Sequence, residues 1–248
     1  MSHVDPSTTV TRRQLLRFGA LGSLSLALPG IAGAQSAGIL RRRPRGPAAL
    51  EPTAGSWQTW LVPSVSGLLP AAPPRNGSAD TRRELNELVQ LQSQRTDAVR
   101  AIVQFWDSQG GLTAWNQALL DTIKVRNTDP PKAARALALM HTAIADATIA
   151  VWYAKFRYRR EAPSRLNHRL TSLSEVDVRL PAYPSEHAAI AAAASTVLNH
   201  LYPAGTAVFH GRAMTFDAAA NEAALSRLWA GANYRSDLDP GYLIGQSA

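Results

Sequence analysis

The chain has 248 residues, of which 46% are hydrophobic, 26 are basic and 18 are acidic, and it contains no cysteine. This length allows one domain with a substantial core, and the lack of cysteine excludes a disulfide scaffold, a cysteine zinc site and a thiol nucleophile. From Gly46 onward the chain has 19 basic and 17 acidic residues, so the basic excess belongs to its first part. A nearly neutral body predicts no nucleic-acid-binding surface, although the arginines at 41–43 and 45 could contact an anionic surface.

Residues 1–34 are predicted to be a twin-arginine export signal. The pair Arg12-Arg13 precedes a weakly apolar run over residues 18–28, and a small-residue cleavage pattern ends at Ala34. The run is too short to span a bilayer, and its glycines disfavour a helix of the folded domain. We therefore expect cleavage after Ala34, export to the periplasm or the medium, and a flexible basic linker over residues 35–56. No later segment reaches about 18 uninterrupted apolar residues, so the mature protein is expected to be soluble and not membrane-spanning.

The remaining residues, 57–248, are predicted to form an all-α helical bundle. The segment from Gly46 to Ala79 is rich in Pro, Gly and Ser, and we expect it to wrap over the core with Trp57 and Trp60 as anchors. Helical periodicity and capping signals then predict five helices. In chain order, the first runs from the capping pattern at Thr81–Glu84 to Gly110, the second contains Trp115 and Leu119, the third runs from Asp129 through Trp152, the fourth from Ser185 to Pro203, and the fifth from about Asp217 to Asn233. No convincing strand alternation is present.

A last helix start is predicted at Asp239-Pro240, with the aspartate as N-cap. Only eight or nine residues follow this cap. That is short beside the roughly 10–14 residues of an average helix. The pattern therefore predicts either a frayed terminal turn or a truncated chain.

Three polar groups stand where an ordinary amphipathic helix would not place them. Lys155 ends an apolar stripe of the third helix, and Arg227 shares a face with small residues on the fifth. Ser185 is a natural N-cap of the fourth helix, with His187 in the first turn, where free amides favour an anion. Each has an ordinary alternative: the lysine reaches out to solvent, the arginine pairs with a carboxylate such as Glu222 or Asp237, and the histidine is exposed.

The order of these residues resembles that of the phosphatidic acid phosphatase type 2 and vanadium-dependent haloperoxidase superfamily. Its motifs are K-x6-R-P, P-S-G-H and S-R-x5-H-x3-D. The corresponding stretches here are Lys155 to Ala162-Pro163, Pro184-Ser185-Glu186-His187, and Ser226-Arg227 followed by Asn233 and Asp237. The resemblance covers roughly residues 57–245 and points to exported bacterial haloperoxidase-like members. It implies the helical fold of that superfamily.

The resemblance also implies a role for each matched position. Lys155, Ser185, Arg227 and the backbone amide of Glu186 would bind the oxygens of phosphate or vanadate. His187 would protonate the leaving group. Asp237 would orient the residue at position 233, where the superfamily has the histidine that attacks phosphorus or binds vanadium.

Three positions depart from the motifs. Asn233 replaces the histidine, and an amide nitrogen neither attacks phosphorus nor coordinates vanadium because its lone pair is delocalised. Loss of a covalent nucleophile can reduce turnover on the order of a million-fold. Ala162 replaces an arginine for which Arg159 or Arg160 could substitute, and Glu186 replaces a glycine and would weaken anion binding if it points inward. Four histidines are candidate replacements away from the motif spacing: His141, His168, His200 and His210.

The sequence therefore predicts an exported protein with an oxyanion site that takes a small phosphorylated or oxyanion ligand and hydrolyses phosphoesters with impaired catalysis. One alternative is a non-catalytic scaffold of the same fold. Another is a vanadium-dependent haloperoxidase, which would need vanadate as its cofactor. No H-E-x-x-H pair, phosphate loop or G-x-S-x-G elbow suggests a different enzyme.

Overall fold

A computed structural model of the chain describes residues 51–107, 111–174 and 179–248. The predicted export signal, and the predicted linker up to residue 50, lie outside the described residues. The described elements, in chain order, are α1 (Ala79–Ser93), α2 (Asp97–Asp107), α3 (Leu112–Val125), α4 (Pro130–Tyr158), the short α5 (Pro163–Leu166), α6 (Glu186–Leu201), β1 (Thr206–Phe209), β2 (Arg212–Thr215), α7 (Phe216–Ala230) and α8 (Leu238–Ser247).

The alanine-rich helix α6 lies at the centre of the bundle. It packs against α4, α7 and α8, and its residues from His187 to Ser195 are buried on every side. Small side chains allow this because they let neighbouring helices approach closely. Helix α8 presents Gly241 and Gly245 to α6, and a Cβ on either glycine would overlap a backbone carbonyl oxygen of Ser185 or Ala189. The contact fixes the N-terminal end of α6.

An aromatic cluster closes one end of the core. The rings of Trp106, Trp115 and Phe209 lie 5.1–5.9 Å apart between centroids. Phe209 belongs to the antiparallel pair β1–β2, whose tight turn places His210 and Gly211 at positive φ. This hairpin corrects the expectation that the chain forms no strands. Four-residue strands are too short to produce a periodicity that stands out from the surrounding sequence.

Several predicted helix boundaries are also corrected. The first predicted helix is two helices, because α1 ends at Ser93 and α2 begins at Asp97, and α1 is capped by Ser78 rather than Thr81. Helix α8 begins at Leu238, two residues before the predicted start. The caps predicted at Asp129 and Ser185 are confirmed, since each side chain accepts a backbone N–H from the first turn.

The segment before α1 is held by a carboxylate and not by the predicted tryptophan anchors. Trp57 and Trp60 are 57% and 73% exposed. Instead the buried carboxylate of Asp146, on α4, accepts the backbone N–H groups of Trp60, Leu61 and Val62 at 2.7, 2.7 and 3.0 Å. The expectation was wrong because an indole in a Pro- and Gly-rich segment does not reveal which side faces the core.

Helix α4 is the one described helix that is long and apolar enough to cross a membrane by length and composition. Half of its most apolar stretch is buried, and it packs against α6 and α8. A core helix of a water-soluble protein has the same properties, so this observation does not show a membrane span.

Candidate functional site

One small cavity brings together residues from all three motifs. It lies between the end of α4, the start of α6 and the end of α7, and its volume is about 30 Å³. Its lining comprises Lys155, Ala162, Leu180, Pro181, Ala182, Glu186, His187, Arg227, Ala232 and Asn233. The volume is close to the share of one water molecule in the liquid. A tetrahedral oxyanion needs more room, so its binding requires some of these side chains to move.

Lys155 lies in the last turn of α4 and is only 3% exposed. Its Nζ donates to the carbonyl oxygens of Pro181 at 2.7 Å and Ala182 at 3.3 Å. Burial lowers the pKa of the ammonium group, while the nearby carboxylates of Glu186 and Asp237 act in the opposite direction. The alternative of a lysine that reaches solvent is therefore wrong.

Arg227 is buried in the last turn of α7. Its Nη1 donates to Asp107 Oδ1 at 2.5 Å, and its Nη2 donates to Ser174 Oγ at 2.9 Å. The partner is therefore neither of the two carboxylates expected from the sequence, Glu222 and Asp237. Its buried Nε has no hydrogen-bond partner among the described residues, so one donor of this cavity-lining side chain remains available.

His187 is also buried, which corrects the alternative of an exposed histidine. Burial, with the positive charges of Arg227 and Lys155, lowers its pKa well below the usual value, and a hydrogen bond to the Trp106 backbone acts against this shift. The imidazole is therefore neutral at neutral pH. Its buried Nε2 has no hydrogen-bond partner within the described ranges. The unpartnered nitrogen of a neutral ring can accept a proton, and once protonated it can donate to an oxyanion's oxygen.

The N-terminus of α6 completes this side of the cavity. Ser185 is fully buried, accepts the backbone N–H of Ala188 at 3.4 Å and donates its own backbone N–H to the Asp237 carbonyl at 2.9 Å. Glu186 lines the cavity and is close enough for its charge to raise the pKa of Lys155. Its carboxylate therefore competes with an incoming anion for the lysine.

Asn233 occupies the position where the superfamily motif has a histidine. Its Nδ2 donates to the Ala182 carbonyl oxygen at 2.6 Å and to Asp237 Oδ2 at 3.2 Å. These two bonds hold the amide in one orientation. The amide nitrogen uses both hydrogens in these bonds and has no lone pair to offer.

Neither arginine expected to replace the missing motif arginine lines the cavity. Arg160 Nη1 donates to Asp237 Oδ1 at 2.6 Å and to Ser236 Oγ at 2.8 Å, and Nη2 donates to Glu84 Oε2 at 2.7 Å. Arg159 is exposed. Ala162 itself is buried in the cavity wall. The expected substitution is therefore wrong, because Arg160 binds the carboxylates that hold the site together.

No candidate replacement histidine lies in the cavity lining. Three of them, His141, His168 and His200, are exposed, and His141 bonds Asn116. His210 Nε2 bonds Glu222 Oε1 at 2.6 Å in the hairpin turn. Within the part of the chain that the structure describes, no three His, Asp or Glu side chains form a group that could hold a metal ion.

Sequence reasoning missed the residues that hold Arg227. Asp107 ends α2 and Ser174 lies in a loop, 120 and 53 residues away along the chain. No periodicity or motif in the sequence links such distant positions. The one available signal was Asp107 itself. An acidic residue at the C-terminal end of a helix is disfavoured by the helix dipole, which suggests that a cation pairs with it.

Solved structures identify the architecture. No protein-family profile and no curated protein matches the sequence. A bacterial vanadium-dependent iodoperoxidase superposes with a TM-score of 0.72 at 23% identity, covering 80% of this chain and 55% of the other. A bacterial vanadium-dependent chloroperoxidase, in its apo and holo forms, gives 0.66 and 0.61 at 14% and 16% identity, covering 79% of this chain and 53% and 52% of theirs. The chain has the vanadium haloperoxidase fold.

This likeness confirms the all-α bundle predicted from helical periodicity, and it confirms the resemblance to the superfamily. The chain spans about half the length of these haloperoxidase structures. At such identities the likeness establishes the haloperoxidase fold, and activity has to be argued from the side chains of the cavity.

Those side chains fit vanadate as an oxyanion but not as a coordinated cofactor. The buried cations Lys155 and Arg227 suit its oxygens, and His187 Nε2 can donate to them only when it is protonated. Coordination of the metal needs a ligand with a free lone pair, and Asn233 turns an amide nitrogen toward Ala182 and Asp237 instead.

Proposed function

We propose that this protein binds phosphate or a small phosphoester in the cavity, and that it hydrolyses phosphoesters with impaired catalysis. The observation that carries the proposal is the convergence of two buried cations, Lys155 and Arg227, with the unpartnered Nε2 of His187 on one cavity. Buried charged groups without a full set of partners are costly unless a ligand of opposite charge offsets the cost.

These groups can support phosphoryl transfer to water. The two cations and the first amides of α6 stabilise the negative charge that develops on the equatorial oxygens of the transition state. Since position 233 lacks a nucleophile, water attacks phosphorus, the bond to the leaving oxygen breaks, and protonated His187 gives that oxygen its proton. The lowered pKa of His187 makes the protonated form scarce at neutral pH. The reaction is therefore expected to be slow and to accelerate toward acidic pH.

The second candidate is a non-catalytic scaffold, and specific contacts favour it. The ammonium group of Lys155 already donates to two carbonyl oxygens, and both amide hydrogens of Asn233 are already donated. The cavity holds about one water molecule. A scaffold of this kind binds no phosphate and shows no turnover.

Calorimetric titration of phosphate and orthovanadate into the full chain separates the two candidates. The oxyanion proposal predicts binding that Lys155→Ala abolishes and that Arg135→Gln, an exposed cation on the same helix, leaves unchanged. A folded wild-type protein that binds neither anion would overturn the proposal and favour the scaffold.

Hydrolysis of p-nitrophenyl phosphate tests the catalytic half of the proposal. We expect slow turnover that Asn233→His accelerates, because an imidazole at that position restores a nucleophile. A scaffold predicts little change in this variant, since the arginine replaced by Ala162 is also missing. If neither the wild-type protein nor Asn233→His hydrolyses p-nitrophenyl phosphate, the proposal of impaired hydrolysis is wrong.

Halide oxidation is the third candidate and has the least support. It depends on vanadium held by the residue at position 233, which is Asn233 here. We expect no oxidation of iodide or bromide by the protein with vanadate and peroxide, measured by bromination or iodination of a phenol dye.

We further propose that the protein is exported by the twin-arginine route. The supporting observation is the sequence pattern of residues 1–34. Replacement of Arg12 and Arg13 by lysine should retain the protein in the cytoplasm when cell fractions are compared by immunoblot. Unchanged export of that variant would contradict this route.

A further inference from the structure

Arg95, in the short connection between α1 and α2, attaches the loop of residues 169–174 to the end of α7. Its Nε donates to the Trp229 carbonyl oxygen at 2.7 Å, and its Nη1 donates to the Thr171 carbonyl oxygen at 2.8 Å. Trp229 lies in the last turn of α7, where carbonyl oxygens have no partner further along the helix and the helix dipole favours a cation. One guanidinium group therefore joins two parts of the chain that are far apart in the sequence.

Gln92, in the last turn of α1, holds the same loop. Its side-chain oxygen accepts the backbone N–H of Thr171 at 2.8 Å, and its side-chain nitrogen donates to the Arg169 carbonyl oxygen at 2.9 Å. The backbone N–H of Leu173 then donates to the carbonyl oxygen of Ala230, the last residue of α7, at 2.8 Å. The loop is therefore attached both to α1 and to the end of α7.

The next residue of this loop reaches the candidate site. Ser174 Oγ accepts a hydrogen bond at 2.9 Å from Nη2 of Arg227, whose side chain lines the cavity. Gly231, which has a positive φ, begins the turn that leads to Asn233. A Cβ on this glycine would lie 2.8 Å from Arg95 Nη2, so the arginine packs directly against the turn. Arg95 therefore supports the site from two sides.

We propose that Arg95 and Gln92 are positioning residues for Arg227, although neither lines the cavity. They hold the loop where Ser174 Oγ meets Arg227 Nη2, and Asp107 holds Nη1. With both terminal nitrogens held, the guanidinium group keeps one orientation. Its Nε, which has no hydrogen-bond partner in the described parts of the chain, is then kept for a ligand. The inference rests on the proposed function, because it needs an oxyanion that the arginine binds.

Calorimetric titration of phosphate into the full chain tests this role in the variants Arg95→Met and Gln92→Met. Each should bind phosphate about tenfold more weakly, which is the low end of the loss that follows removal of a group supporting a metal ligand. Gln92→Met keeps the net charge, so a loss in this variant does not result from charge. The matched control Arg100→Met removes an exposed cation close by on α2 and should keep the wild-type affinity. Circular dichroism verifies that each variant is folded.

A double-mutant cycle tests whether the effect passes through the loop. Ser174→Ala alone should weaken phosphate binding to a similar extent. The double variant Arg95→Met/Ser174→Ala should bind no more weakly than either single variant, because both changes remove the same bond to Arg227. Losses that multiply to about a hundredfold would overturn the proposal, since the two residues would then act independently. An equal loss in Arg100→Met would also overturn it.

Hydrogen exchange provides a measurement that needs no ligand. The backbone N–H of Leu173 should exchange faster in Arg95→Met and Gln92→Met than in the wild-type protein or in Arg100→Met. Unchanged exchange would overturn the proposal, because the loop would then stay in place without these side chains.

The outcomes separate the inference from the proposed function. Phosphate binding that needs Lys155 but is unchanged in folded Arg95→Met and Gln92→Met overturns the inference and leaves the proposed function standing. If the folded wild-type protein binds no phosphate, the proposed function is wrong and the positioning role is wrong with it, even where exchange at Leu173 accelerates.

Discussion

Arg160 connects three separate parts of the chain through one buried guanidinium group. It bonds Glu84 on α1, Asp237 before α8 and Ser236, and it lies 3.8 Å above the ring of Tyr234. Its partner Asp237 also accepts a hydrogen bond from Asn233, which lines the cavity. The residue therefore acts on the site only by holding these groups in place.

Replacement of Arg160 by methionine should reduce the free energy of unfolding by about 3–5 kcal/mol, because the buried carboxylate of Asp237 and the partly buried one of Glu84 lose their cation. Urea denaturation followed by circular dichroism measures this change. The control Arg83→Met breaks an exposed pair with Asp80 and should change the stability by less than about 1 kcal/mol. Equal losses of stability in the two variants would contradict the structural role of Arg160.

The buried His187 should make stability depend on pH. Its pKa is lowered on folding, so below the unfolded value of 6.5 the unfolded chain binds more protons and the folded state loses stability as pH falls. The contribution is at most about 1.4 kcal/mol per pH unit. Denaturation curves at pH 7.5 and pH 5 should show a larger loss for the wild-type protein than for His187→Gln. Parallel losses in both proteins would contradict a neutral buried imidazole.

At the scale of single residues, the sequence predicted which side chains lie at one cavity, but it did not predict which carboxylates pair with the arginines. The motif spacing brought Lys155, Glu186, His187, Arg227 and Asn233 to one cavity. The carboxylates that hold the arginines lie far away in the sequence and belong to no motif. Ion pairs of this kind depend on how whole helices dock, which local spacing does not encode.

At the scale of elements, the contact between α6 and α8 depends on two glycines. Gly245→Ala should lower the free energy of unfolding by about 3 kcal/mol, because its methyl group overlaps the Ala189 carbonyl oxygen and α8 must move away. Thermal denaturation measures the loss. The control Gly67→Ala places its methyl group in open space and should have little effect. A tolerated Gly245→Ala would show that the helices separate without cost.

Helices were easier to predict than the short strands. Long periodic runs and strong caps fixed α4 and α6, whose starts after Asp129 and Ser185 follow from side chains that accept the first free amides. The hairpin depends on tertiary contacts instead. Glu222 on α7 accepts bonds from Trp106, His210 and Arg212, so the hairpin turn and strand β2 are tied to two helices.

At the scale of the whole molecule, one carboxylate on α4 attaches the segment before α1. Asp146→Ala should cost about 3 kcal/mol, because three backbone N–H groups lose a charged acceptor. Hydrogen exchange should accelerate at residues 60–62, while the partly exposed control Asp121→Ala leaves it unchanged. Unaltered exchange in Asp146→Ala would mean that other contacts attach this segment.

Asp237 makes contacts that hold the fold together, whether or not a reaction takes place in the cavity. Its carboxylate neutralises Arg160 and accepts the backbone N–H of Tyr234, and its carbonyl oxygen accepts the backbone N–H of Ser185. A chain can therefore lose the imidazole at position 233 and still depend on this aspartate to fold. Selection for a stable protein alone would preserve part of the third motif long after turnover had decayed. In this chain, therefore, the aspartate is evidence of a folded protein and not of turnover.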